Sequence, residues 1–211
     1  MERAYAEYAA HQAAELLAID SPSGMTKKAA EHVMTRFEAL GYAPQMTRKD
    51  GVLVCLGGVD KENGLLLEAH MDTLGGMVCS INEKGRLMLS ALGGMNPNNA
   101  EAENCRVYTR SGKVYSGTFQ LKNASIHVNG SYNDTARSYD AMEVVLDEPV
   151  ESKADTEALG IMTGDIVCFD PRTTVTESGY IKSRFLDDKL SVGILPVSYT
   201  HLRAHETSAH L

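Results

Sequence analysis

Leu65-Leu66-Leu67-Glu68-Ala69-His70-Met71-Asp72 is the stretch on which the reading of this chain turns. An apolar run stops abruptly at a histidine, and an aspartate follows two residues on. The pattern predicts a buried strand over residues 64–69 that delivers an imidazole and a carboxylate at its C-terminal end, where an open α/β sheet gathers its chemistry. Side chains alternate along extended backbone, so His70 and Asp72 share one side. Asp72 can then accept one ring N–H of His70, fixing the tautomer, while the other nitrogen faces a metal. Alone, a His-x-Asp tripeptide is equally a strand-end histidine beside an unrelated surface aspartate. A second stretch, Ser183-Arg184-Phe185-Leu186-Asp187-Asp188-Lys189, narrows the choice. Two adjacent carboxylates behind a hydrophobic pair are costly unless a cation or strong donors neutralise them. The same acids also suit the first turn of a helix. Together the two stretches predict half of a two-metal hydrolase site, in which a carboxylate bridges ions roughly 3.5–4 Å apart.

Outward from these motifs, the N-terminal part reads as two helices and two strands. The first helix spans residues 2–19, with Tyr5, Tyr8, Ala9, Leu16 and Leu17 among its apolar positions, and Asp20-Ser21-Pro22-Ser23-Gly24 ends it. Thr26 caps a second helix to about Leu40, burying Ala30, Val33, Met34, Phe37 and Leu40, with Gly41 as its left-handed stop. Strands are expected at Val52–Leu56 and from Gly64 to Ala69. Beyond Gly75-Gly76 the texture changes. Short apolar segments alternate with turn signals: Met77–Ile81, Arg86–Leu89, Lys113–Phe119, Ala124–Val128, Met142–Leu146 and Ile166–Phe169. This spacing predicts a small antiparallel barrel or sandwich, with one short helix over Lys153–Leu159. The expected organisation is a catalytic domain begun by residues 1–75, a β-rich insert over 76–174, and the catalytic domain resumed over 175–195.

Composition excludes some classes of function. The 211 residues are 43% hydrophobic and carry a net charge of −8. A core is affordable, and a nucleic-acid or anionic-membrane partner, which needs a basic face, is not expected. No apolar run approaches the roughly 20 residues of a membrane span, and the N-terminus lacks the basic start and apolar core of a signal peptide. Cys55, Cys79, Cys105 and Cys168 are scattered, as small core residues are in a reducing cytoplasm.

The segments Glu68-Ala69-His70-Met71-Asp72-Thr73-Leu74-Gly75 and Lys182-Ser183-Arg184-Phe185-Leu186-Asp187-Asp188-Lys189 resemble two signatures of the glutamyl-aminopeptidase/TET aminopeptidases, metallopeptidase family forty-two. Ser21-Pro22-Ser23-Gly24 resembles that family's first-turn motif, and Gly164–Asp170 the strand closing its inserted β domain. The resemblance covers about residues 10–195. It implies an α/β zinc-peptidase-like catalytic domain, here incomplete, with an inserted β-barrel-like domain. It also implies a cytoplasmic, homo-oligomeric aminopeptidase that uses two divalent metal ions, zinc or cobalt, to trim residues from the N-termini of peptide substrates. His70 would ligate one metal, Asp187 would bridge both, and Asp72 would serve catalysis by orienting His70. Asp188 would complete a cis Asp–Asp linkage that aims the bridging carboxylate. In the family a Glu-Glu pair beyond the Asp-Asp motif supplies the general base and a further ligand, and another Asp and a late His complete the set.

This chain contains no Glu-Glu dipeptide, and the familiar pattern stops near Gly193-Ile194-Leu195. Pro196 is expected to break the helix, and residues 196–211 read as a foreign, non-native tail on a truncated, inactive fragment. His205-Glu206-Thr207-Ser208-Ala209-His210 imitates the zincin His-Glu-x-x-His one residue too long. At about 100° per residue its histidines point about 140° apart, so they cannot share a metal from one helix face. His127 reads as a hydrogen-bonded strand residue or an interface residue. His11 and His32 are assigned to helices without acidic partners at ligand spacing. Two competing functions remain: a related dinuclear amidohydrolase, disfavoured by how early the insert falls, and a non-catalytic assembly module built on the β insert.

Overall fold

A computed structural model describes residues 2–58, 60 and 62–206, with side chains described for 3–58, 60 and 62–197. The chain divides into two compact units, Met1–Thr73 with Pro171–Leu211, and Leu74–Asp170. The fold is α/β with a closed β-barrel.

The first unit opens with α1 (Glu2–Leu17) and α2 (Lys27–Ala39). Ala9, Ala13, Leu16 and Leu17 form the buried stripe of α1, and Ala29, Ala30, Val33 and Phe37 that of α2. Met34 and Leu40 stay half-buried. Gly41 stands at φ 89°, the left-handed stop that glycine takes without a Cβ clash. A two-stranded ribbon, β1 (Gln45–Met46) and β2 (Val52–Leu53), follows.

The expected strand at 64–69 is corrected. Residues 64–72 are not part of any ladder, and Leu65, Leu66 and Leu67 are 86, 72 and 48% exposed. Val52–Leu56 likewise pairs only at Val52–Leu53. The reason is that a strand requires a hydrogen-bonded neighbour, which an apolar run cannot supply for itself. Only the end of the stretch is fastened, by a parallel bridge between Pro22 and Thr73.

The second unit holds β3 (Gly75–Ile81), β4 (Leu87–Leu92), β5 (Glu103–Tyr108), β6 (Val114–Leu121), β7 (Met142–Leu146), α3 (Lys153–Ala158) and β8 (Ile166–Phe169). The six strands close in the order β3-β4-β7-β6-β5-β8, every pair antiparallel. Closure gives every strand a neighbour on each side, although β4 meets β7 only at Leu87 and Val144. Val78, Leu87, Val107, Phe119, Met142, Val144, Val167 and Phe169 fill the interior, with Phe119 and Phe169 edge-to-face at 5.5 Å. Gly117 lets β7 approach, because a Cβ there would lie 2.6 Å from the Val145 carbonyl oxygen. Cys105 is a core residue: burial, then nearby Asp147, pushes its thiol up to about 12, far from the reactive thiolate. All four cysteines are free.

Two sequence readings in this unit are corrected. Ala124–Val128 is a series of turns, because Val128 and Asn129 donate their N–H groups back to the Ser125 carbonyl and the Asn129 amide caps Asn123. His127 is therefore an exposed turn residue, not a strand residue. Strand β5 went unanticipated because Glu103 occupies an inward position, 2% exposed, and breaks the apolar alternation.

The chain then forms the ribbon β9 (Thr174–Val175) and β10 (Ile181–Lys182), and ends in α4 (Leu186–Glu206), which packs on α1. Gly193 permits that approach, since a Cβ there would lie 2.8 Å from the backbone nitrogen of Ala13. The expectation that Pro196 ends this helix is corrected: Pro196 lies inside α4. Pro196 and Val197 are buried, so apolar burial offsets the one backbone bond that proline forfeits. The side chains of the His205–His210 imitation lie outside the described residues. Among the described residues no helix is long and apolar enough to cross a membrane.

Candidate metal centre

Three segments of the first unit meet at His70. Two serines of the turn after α1 hold the histidine segment. Ser21 Oγ donates to the Met71 carbonyl at 2.7 Å, Thr73 N–H to the Ser21 carbonyl at 2.8 Å, and Ser23 N–H to the Thr73 carbonyl at 3.3 Å. Ser23 Oγ also donates to Asp72 Oδ2 at 2.5 Å. That bond fixes the carboxylate and leaves its other oxygen, Oδ1, 3.2 Å from His70 Nδ1, whose hydrogen-bond partner is the Asp72 backbone carbonyl at 3.2 Å. The acidic segment is tethered separately, by Ser183 Oγ and Arg184 N–H, both donating to the Pro171 carbonyl at 3.1 and 2.8 Å. Phe185, at φ 64°, turns the chain through the left-handed region, and the Asp187–Asp188 peptide bond is cis.

The result is convergence of groups 117 residues apart in sequence: His70 Nε2 lies 3.1 Å from Asp187 Oδ1. Burial of the ring lowers the His70 pKa, but the hydrogen bonds to the Asp187 carboxylate and the Asp72 backbone carbonyl, with the pull of both carboxylates, outweigh it, and the net shift is upward. The imidazole thus stands in a negative environment, with the Asp72 carbonyl and carboxylate at Nδ1 and the open Asp187 carboxylate at Nε2. Asp187 is 95% exposed, so its carboxylate has room for further partners.

These residues fit a metal only in part. Two ligands on one tetrahedral zinc, with bonds of about 2.0–2.1 Å, stand about 3.3 Å apart. The Nε2–Oδ1 separation is close to that edge, and the Asp72 backbone carbonyl on Nδ1 matches a usual support of a ligating histidine. Among the described residues, however, no group of three or more His, Cys, Asp or Glu side chains could hold a metal ion.

Lys189 is the residue that sequence reasoning missed here. It is 1% exposed and donates from Nζ to the Leu16 and Ile19 carbonyls at 3.0 and 2.5 Å. A lysine after two aspartates reads as a surface counter-charge; the signal against that reading is its position on the same helical face as the buried Val192. The other histidines belong elsewhere. His11 does have an acidic partner at helical spacing, Glu15, at 3.8 Å, which corrects the expectation for His11; His32 has none in its own helix but approaches the same carboxylate at 3.9 Å. Arg36 already pairs with Glu15, and burial, then the adjacent Arg36, holds His32 below the usual imidazole range.

The chain is similar to known proteins over most of its length. The chain is 42% identical to YhfE of Bacillus subtilis over 181 residues, covering 86% of this chain and 52% of that protein. It is 26% identical to the glutamyl aminopeptidase of Lactococcus lactis over 168 residues, covering 78% and 46%. The chain spans about half the length of the curated relatives it matches. Aminopeptidase APDkam598 from the archaeon Desulfurococcus kamchatkensis shares the fold, with a TM-score of 0.81 at 21% identity over 93% of this chain and 52% of its own. The TET1 peptidase of Pyrococcus horikoshii, described as assembling into a tetrahedron or a large octahedral shell, matches with a TM-score of 0.75 at 23% identity, covering 93% and 57%. The model of the M42 glutamyl aminopeptidase family matches residues 50–211, and the chain belongs to that family.

Proposed function

We propose that the complete protein is a dinuclear metal-dependent aminopeptidase that removes N-terminal residues from peptides, and that this chain carries one half of its centre. The observation that carries this reading is the 3.1 Å approach of His70 Nε2 to Asp187 Oδ1, with Asp72 on the opposite ring nitrogen. In this reading His70 would hold one cation and Asp187 would contribute to both, while the Asp72 backbone carbonyl, accepting from Nδ1, and the Asp72 carboxylate beside it keep the Nε2 lone pair aimed outward. Ser23 holds Asp72 in that rotamer. Divalent cations such as zinc or cobalt, when bound, supply stabilisation of developing oxyanion charge and an acidified water. With two donors from this chain, where three protein ligands are the norm, affinity for metal is low and the 211-residue chain is inactive alone. Four free thiols and the acidic balance fit a cytoplasmic setting.

The closed barrel supports a second role beside the first. As an insert complete in its own ladder, it serves homo-oligomerisation, in keeping with the assembly described for the Pyrococcus horikoshii peptidase. Peptidase assays with added zinc or cobalt, on this chain and on a gene extended to the relatives' full length, test the reading. Activity confined to the extended protein, and lost in H70A and D187A, is the expected result. Equal activity in the 211-residue chain contradicts the half-centre, and an inactive, metal-free but assembled extended protein leaves only the assembly role.

A further inference from the structure

The contacts around the candidate centre form a closed circuit within the first unit. It runs from Asp187 to His70, from His70 to Asp72, and from Asp72 to Ser23 in the turn after α1. Ser21, in the same turn, grips Met71 and Thr73. The return path is Lys189, two residues beyond Asp187, whose ammonium reaches the Leu16 and Ile19 carbonyls where α1 ends and that turn begins. Carbonyls in the last turn of a helix lack intrahelical partners and carry the negative end of its dipole, so a cation is favoured there. Burying an ammonium without such acceptors is prohibitive. Lys189 therefore fixes the start of α4 relative to the one turn that also holds the histidine segment.

We propose that Lys189 is a positioning residue: by clamping the start of α4 to the C-terminal end of α1, it sets the Asp187 carboxylate against His70. The inference rests on the reading of His70 and Asp187 as a ligand pair, but the clamp is a property of the metal-free chain. Two consequences separate it from general stabilisation. Removing the clamp releases Asp187 from His70 even where the unit stays folded. Equal destabilisation elsewhere in the unit leaves the pair intact.

The test uses the full ¹⁵N-labelled chain in chelator-treated buffer, reading the His70 imidazole by long-range ¹H–¹⁵N correlation. The expected result is that K189M and K189Q move the His70 Nε2 resonance to the position it takes in D187N. V33A, which hollows the core between α1 and α2, leaves it at the wild-type position. K189Q leaves no buried charge and keeps a donor, so it reports should K189M fail to fold. S21A opens the same circuit without touching the ammonium and is expected to shift His70 in the same direction. A wild-type His70 resonance in folded K189Q, or in S21A should both lysine variants fail to fold, overturns the proposal. A separate Co²⁺ titration of the wild-type chain tests the ligand reading. Absence of any effect on His70 there, with the K189Q shift intact, removes the ligand pair and leaves the clamp standing.

Discussion

The two units treat their apolar residues in opposite ways. In the barrel, every strand has neighbours on both sides, and the inward residues of all six are sealed from water. In the helical unit, three consecutive leucines, Leu65–Leu67, stand in solvent on backbone that pairs with nothing described. Hydrophobicity is the same in both places; what differs is the presence of a partner. A barrel closes its ladder with its own strands, whereas an open sheet borrows each strand's stability from the next.

The largest effect expected from that contrast is in the barrel core. Phe119→Ala should cost about 3–5 kcal/mol of stability, read by denaturant unfolding with hydrogen exchange to assign the loss to the barrel. In the helical unit, Leu16→Ala should cost about 2–4 kcal/mol, because Leu16 sits in a core cluster where α1, α2 and α4 meet. Leu65→Ser with Leu66→Ser should change stability by less than about 0.5 kcal/mol and raise solubility, since both leucines are already wet. A loss in that double variant equal to the Phe119→Ala loss would break the comparison.

Electrostatics offers a finer test within the barrel unit. The Arg137 guanidinium donates two hydrogen bonds to Glu101, at 2.9 and 3.1 Å, and holds that carboxyl below its usual range. A depressed carboxylate pKa stabilises the fold above the unfolded value, about 4.3, and the gain fades as pH falls through the folded value. Arg137→Ala should therefore lower stability at pH 7, with the difference from wild type shrinking steadily below about pH 4.5. A difference independent of pH from 7 to 3 would assign the role of Arg137 to its contacts with the Tyr132 and Thr135 carbonyls instead.

Legibility in the sequence follows the same divide. Helices α1 and α2 and five of the barrel strands announce themselves through period, caps and turns, because their partners lie within the same stretch of chain. Strand β5 stayed hidden behind the buried Glu103, and Leu65–Ala69 read as a strand because its pattern is that of one; pairing is a property of two segments and is not written in either alone. The pairing of His70 with Asp187 is legible in the chemistry of the two motifs and is sharpened by their family resemblance; period contributes nothing to it. Lys189 escaped notice because burial of a charge depends on where α1 ends in space, and one-dimensional spacing does not carry that. Pro196 misled for a related reason: its ring reads as a helix breaker until the core it packs into is known.

The claim at the centre of this account is that His70 and Asp187 face a shared cation. A Co²⁺ titration of the ¹⁵N-labelled chain, following paramagnetic shift and broadening at each assigned histidine ring, tests it most directly. His70 is expected to respond at lower Co²⁺ than His11, His32 or His127, and D187N to erase this preference. A first response at the His11–His32 pair beside Glu15, or a His70 response untouched by D187N, would contradict it.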